Sequence, residues 1–123
     1  MATVLRHSCQ TRSGLQTVSI DTAAIVDRPS FHRTFQEVFG FPTFYGANMD
    51  AWIDCLSYLD DPEAEMSEVT VREGEVLVLE LAGALDFAHR CPDIWQDLIE
   101  CSAFVNERRV DRGRPAVLSL MLR

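Results

Sequence analysis

The sequence has no lysine, and all eleven of its basic residues are arginine. That reads as coding bias, since nothing in the chain calls for so many bidentate donors. A second absence is local. Between Thr34 and Val71 there is no Arg, Lys or His, against eight acids. Cysteine is sparse too, with residues 9, 55, 91 and 101 forming no CxxC pair and no spacing that suits zinc. Cys55 and Cys101 fall on apolar helix faces, so buried, reduced thiols and a cytoplasmic location are expected. No apolar run is long enough for a signal peptide or a membrane span. The formal net charge of -8 excludes a reader of phosphate backbones, which rewards basic patches. It favours a basic protein partner or plain solubility. At 123 residues and 47% apolar content, the chain is one domain with a core of its own.

Residues 1–16 are mixed and polar and read as an N-terminal extension. A small edge strand at Met1 to Leu5 and a leader without structure both remain open there. The main domain is expected over 17–123. Val18 and Ile20 alternate with polar neighbours, a short strand at 17–21. Asp27, Arg28, Pro29 and Ser30 mark a helix start. Phe31, Phe35, Val38 and Phe39 follow at helical spacing, until Gly40 and Pro42 stop the helix. Gly46, in the short aromatic loop after Pro42, calls either for a positive φ or for a close approach of the chain. Asn48 caps a helix over 48–59, with Asp50 in its first turn. Residues 60–70 form an acidic linker. Glu75 to Leu81 reads as a buried central strand. A short helix at 85–90 precedes a long one at 92–109, whose stripe is Ile94, Leu98, Cys101 and Val105. Residues 116–122 are a last strand. The order β-α-α-β-α-β predicts an α/β fold, a small parallel sheet with helices against it. Trp52, Leu56, Leu79, Leu98 and Val105 are the expected core.

The helix at 48–59 carries the functional signal. At about 100° per residue, Met49, Trp52, Cys55, Leu56 and Leu59 share one side. Asp50, Asp54 and Ser57 share the other, flanked by Ile53 and Tyr58. Like charges four apart weaken an isolated helix. Two acids, an aliphatic and a Tyr match the makeup of an interface with charged specificity. A solvated face is the bland alternative. Phe44 and Tyr45 shift the balance, because two adjacent aromatics in so short a loop cannot easily both point inward.

Pro42, Phe44, Tyr45, Gly46, Asn48, Met49, Asp50, Ala51, Trp52, Ile53, Asp54, Cys55 and Leu56, in this spacing, resemble the signature of the barstar-related family, inhibitors of the ribonuclease barnase. The likeness covers roughly residues 17–122 and is concentrated in this motif. It implies a barstar-like three-stranded parallel sheet packed against three to four helices. It also implies inhibition by occlusion of a basic ribonuclease active site, with no catalytic residue, cofactor or metal. In the resemblance, Asp54 stands for the acid that enters the enzyme's phosphate-binding pocket, and Asp50 for a second interface acid. Phe44 stands where the family has an interface Tyr, and Tyr45 keeps the next aromatic. Ile53 replaces an interface Trp, Ser57 matches a small hydroxyl-bearing contact, and Leu59 replaces a second Trp. Gly46 and Asn48 complete the contact motif. The family's last main helix adds another acid. Glu100 and Glu107 share the matching side, and Glu107 is the better positional match. His32 also has a counterpart, in a packing role.

The implied partner is a basic, extracellular-type, barnase-like ribonuclease or a related toxin, bound by a free monomer. Nucleic acid and membrane are not expected partners. The altered rim points to a cognate enzyme other than barnase. The alternative is a barstar-like immunity or regulatory module for a different basic protein. An acid-pair hydrolase is disfavoured, since carboxylates on a convex helix lack a cleft that excludes water. Asp60, Asp61, Glu63 and Glu65 lack the alternation and central Gly of a calcium loop. Arg108, Arg109, Arg112 and Arg114 read as a solvated helix end.

Overall fold

A computed structural model describes residues 10–12 and 15–123, with side chains from residue 16 onward. The edge strand considered at Met1 to Leu5, and Cys9, lie outside the described residues. Alternating apolar positions build a four-stranded sheet in the order β1-β2-β3-β4. Its strands are β1 (Gln10–Arg12), β2 (Leu15–Asp21), β3 (Val76–Ala82) and β4 (Leu118–Leu122). β2, β3 and β4 pair in parallel, with Val18 opposite Leu79 and Leu79 opposite Leu120. β1 adds to β2 in the antiparallel sense. β3 is central, as its sequence predicts. Only Leu77, Leu79 and Leu81 are fully buried, while Val76, Val78 and Glu80 on the opposite face are partly covered. That second face is polar. Ser19 Oγ donates to Glu80, and Arg123 Nη1 pairs with the same carboxylate at 3.1 Å.

Among the described residues four α-helices accompany the sheet: α1 (Arg28–Phe39), α2 (Met49–Ser57), α3 (Ala84–Arg90) and α4 (Pro92–Asp111). α1 opens on a reciprocal cap. The Ser30 amide donates to Asp27 Oδ1 at 2.9 Å, and the Asp27 amide donates to Ser30 Oγ at 3.0 Å. It closes on Gly40 at φ 70°, a left-handed conformation that glycine adopts without steric cost. Between these ends Phe31, Phe35 and Phe39 point inward, and Trp52 of α2 meets the first two, its ring centre 5.6 Å from that of Phe35 and 6.2 Å from that of Phe31. Trp52, Leu56, Leu79, Leu98 and Val105 are all fully buried in one cluster, the predicted core. The Trp52 indole N–H is buried without a hydrogen-bond partner among the described residues.

The acidic 60–70 segment is less of a linker than its composition suggests. Val69 and Val71 are buried. The amides of Glu68 and Val69 donate to Phe39 O at 2.9 and 3.2 Å, and the Val71 amide donates to Leu59 O at 2.9 Å. Val69 within it and Val71 just after it tie it down. Only a single 3-10 turn, Pro62–Ala64, interrupts its irregular course. Among the described residues no helix is long and apolar enough to cross a membrane.

Candidate functional site

The surface is built on α2 and the loop before it. Asn48 sets the helix start, since its Oδ1 accepts from the Ala51 amide at 2.8 Å. Its side-chain NH₂ also donates to Gly46 O at 3.4 Å, so Asn48 folds the loop onto the helix. The positive φ expected at Gly46 falls instead on Ala47, at 54°. Gly46 answers to its other predicted need, close approach. A Cβ there would sit 3.2 Å from Asn48 Nδ2 and 3.7 Å from Ala51 Cβ. Holding Ala47 in the left-handed region costs about 1–2 kcal/mol, which the Asn48 cap helps to offset.

The two loop aromatics part ways. Phe44 is 76% exposed. Tyr45 turns inward, packs on Phe41 at 4.9 Å between ring centres, and sets its hydroxyl 2.5 Å from His32 Nδ1. Burial pushes the Tyr45 phenol well above its ordinary range. Burial also lowers the His32 pKa, with a smaller push from Arg28, which favours the neutral imidazole. His32 packs, as expected, and in doing so orients Tyr45.

On α2 the acids face out, with Asp50 exposed near the helix N-terminus and Asp54 one turn on. The outer face is narrower than the helical wheel predicts. Ile53 and Ser57 are buried, and Ser57 Oγ donates back to Ile53 O at 2.6 Å. α4 packs along α2, and its Arg109 bonds the Ser57 carbonyl on that flank. The apolar and hydroxyl contacts expected on the outer face are thus turned inward.

α4 also changes the charge. Arg108 Nη1 donates to Asp54 Oδ1 at 2.8 Å, with the two side chains 24% and 48% exposed. The residue that meets the acid of α2 is therefore Arg108. Glu107, one position earlier, is exposed. Glu100 is also exposed and takes a 2.7 Å bond from Gln96 Nε2. Of the four C-terminal arginines expected to form a solvated helix end, Arg112 and Arg114 are exposed, whereas Arg108 and Arg109 are drawn into the fold. Arg109 and Asp60 are 5% and 2% exposed. Arg109 Nε donates to Pro115 O at 2.9 Å, Nη1 to Ser57 O at 2.9 Å, and Nη1 and Nη2 to the Asp60 carboxylate at 3.0 and 2.8 Å. Arg114 adds a third bond to Asp60 at 2.8 Å. The Arg109 hydrogen bond holds the Asp60 carboxyl below the ordinary aspartate range, against the opposing effect of burial and with help from both arginine charges.

One signal for Arg109 was present in the sequence. It lies four residues after Val105, on the continuation of the apolar stripe, where a cation requires a buried partner. Arg108 carried no such signal, because its partner lies 54 residues away in sequence.

The surface is shallow. Asp54, Tyr58, Ala64, Met66 and Arg108 line an open depression of about 480 Å³. Among the described residues no three His, Cys, Asp or Glu side chains gather to hold a metal. Cys55, Cys91 and Cys101 are free, and burial, followed by the charge of Asp54, pushes the Cys55 thiol up to about 11. The arrangement suits contact with a complementary protein surface better than chemistry on a small molecule. A comparison with curated proteins gives no match. The family model described as Barstar (barnase inhibitor) matches residues 15–120, nearly the whole described chain, and the protein therefore belongs to the barstar family.

Proposed function

We propose that this chain inhibits a ribonuclease by setting α2 and the loop before it into the enzyme's basic active site. Asp54, and to a lesser degree Asp50, pairs with cations in the cleft, and exposed Phe44 packs at its mouth. The partner is a barnase-like enzyme or related toxin, met in the cytoplasm by a free monomer. One observation carries this reading. At the centre of the family signature, the Asp54 carboxylate stands half exposed on a capped helix whose other face is fixed in the core. The excess of acid over base steers a cationic partner and makes association salt-sensitive.

The test is inhibition of a panel of microbial ribonucleases, barnase included, by wild-type protein and by Asp54→Ala. The substitution should leave the fold intact and weaken the complex by about 2–5 kcal/mol, much of it from enzyme cations left buried and unpaired. Asp50→Ala should cost less, as an exposed charge is better hydrated. The burial of Ile53 and Ser57 favours a second reading, a barstar-like immunity or regulatory module for a different basic protein, because it removes apolar and hydroxyl contacts from the rim. Failure to inhibit every ribonuclease on the panel would favour that module.

A further inference from the structure

β4 lies at an edge of the sheet, and its outer side carries little of the protection such edges usually have. The Leu77 amide donates to the Val117 carbonyl at 2.7 Å, and the Arg123 amide donates to the Leu81 carbonyl at 3.1 Å. The odd-numbered residues from Val117 to Arg123 therefore turn their backbone groups toward β3. The alternation of a parallel strand then turns the N–H and C=O groups of Leu118, Leu120 and Leu122 outward. Neither proline nor charge interrupts Leu118–Leu122.

The fold itself shows what these outward groups accept. Asn106 of α4 lays its side-chain amide against the first of them. Its Oδ1 accepts from the Val117 and Leu118 amides, each at 3.0 Å, and its Nδ2 donates to the Leu118 carbonyl at 2.8 Å. Asn106 thus stands in for one peptide unit of a neighbouring strand. The next two rungs, at Leu120 and Leu122, have no such substitute among the described residues. Beside them Ala84, Leu85 and Ala88 of α3, Trp95 of α4, Leu122 and Arg123 line an open pocket of about 330 Å³. Leu85 and Leu122 are exposed there. None of the lining belongs to α2 or to the loop before it.

We propose that the free edge of β4 and this pocket together bind an extended segment of another protein, which joins the sheet as a further strand and sets one large apolar side chain into the pocket. Backbone bonds to Leu120 and Leu122 supply affinity, and the pocket selects the side chain, as in other peptides that add to a sheet edge. A second copy of this chain fits less well. The two-fold register that uses both free rungs centres on Met121 and sets Leu120 of the second copy opposite Leu122. Leu120 is already packed against its own core, so the pocket stays empty in that arrangement. An extended segment has no such commitment for its side chains. The site shares no residue with the surface proposed above for the ribonuclease, so either assignment can fail without the other.

The probe is a displayed library of short random linear peptides, selected on the full chain. Synthetic copies of the winners are measured by calorimetry against wild type, Ala88→Phe, Leu122→Pro and Leu122→Ala. Ala88→Phe fills the pocket from the chain's own side. Proline at 122 removes an outward N–H and leaves the ladder to β3 intact, with Leu122→Ala as the control for the lost side chain. Circular dichroism confirms that each variant is folded. The winners should share one large apolar residue and should slow hydrogen exchange at the Leu120 and Leu122 amides. They should bind Ala88→Phe about tenfold more weakly than wild type, and Leu122→Pro about tenfold more weakly than Leu122→Ala. Winners that bind all four proteins equally, winners that leave the Leu120 and Leu122 amides unprotected, or a selection without enrichment overturn the proposal. Self-association that protects those two amides without any peptide also overturns it, in favour of a second copy.

Discussion

Arg108 and Arg109 are neighbours on α4, and each meets an aspartate from the α2 region, yet the two pairs do different work. The Arg109–Asp60 pair is withdrawn from solvent, doubly bonded, and joined by Arg114 and two carbonyls. The Arg108–Asp54 pair is partly hydrated and held by one bond. Burial with complete hydrogen bonding turns an ion pair into a joint of the fold. Partial exposure with donors to spare leaves it available to a partner. Both come from the same residue types, so context decides the role.

The strongest way to break the comparison is at the buried pair. Asp60→Ala strands the Arg109 guanidinium in the interior and should cost about 3–5 kcal/mol in urea unfolding. A loss as small as that of an exposed pair would mean Arg109 reaches water in solution. Next comes the apolar base under both pairs. Leu56→Ala should cost about 2–5 kcal/mol, with values under about 1 kcal/mol meaning that α2 rests on a different face. The pH dependence sharpens the contrast. Because the folded Asp60 carboxyl lies below its ordinary value of 3.8, it adds stability above that value, and the contribution is lost as pH falls from there through the depressed pKa. Acid titration of stability should therefore be shallower in Asp60→Asn than in wild type. The smallest effect belongs to the exposed pair. Asp54→Ala should change stability by at most about 1 kcal/mol, and that change should shrink with added salt.

Much of this was legible in the sequence because the signals were local. Asp27 and Ser30, Gly40, Asn48 and Pro92 mark helix ends at nearest neighbours, and the alternation in β2 reports a sheet face directly. The outward Asp50 and Asp54 followed from helical period alone. What escaped was set at long range. Ile53 and Ser57 lie on the polar half of an isolated wheel, and tertiary packing that includes α4 buries them. The same contact brings Arg108 to Asp54, which no periodicity within α2 or α4 announces. The positive φ passed from Gly46 to Ala47 for a related reason. The Asn48 cap and its bond back to Gly46 fix the loop, and the conformation falls where that closure requires it. The 60–70 segment was misjudged by averaging its acids, when Val69 and the following Val71 anchor its end.

Arg109 grips the Ser57 carbonyl at the C-terminal end of α2, while Asn48 secures the N-terminal end. A helix of nine residues held at both ends behaves as a rigid tooth. The Asp54 carboxylate, held in addition by Arg108, has little orientational freedom left to surrender when a complex forms. Rigid-body docking, with nearly the same backbone before and after, is then the expected mode of recognition. Changes in lifetime among variants of this surface would report on lost contacts, with little contribution from refolding of the binding element.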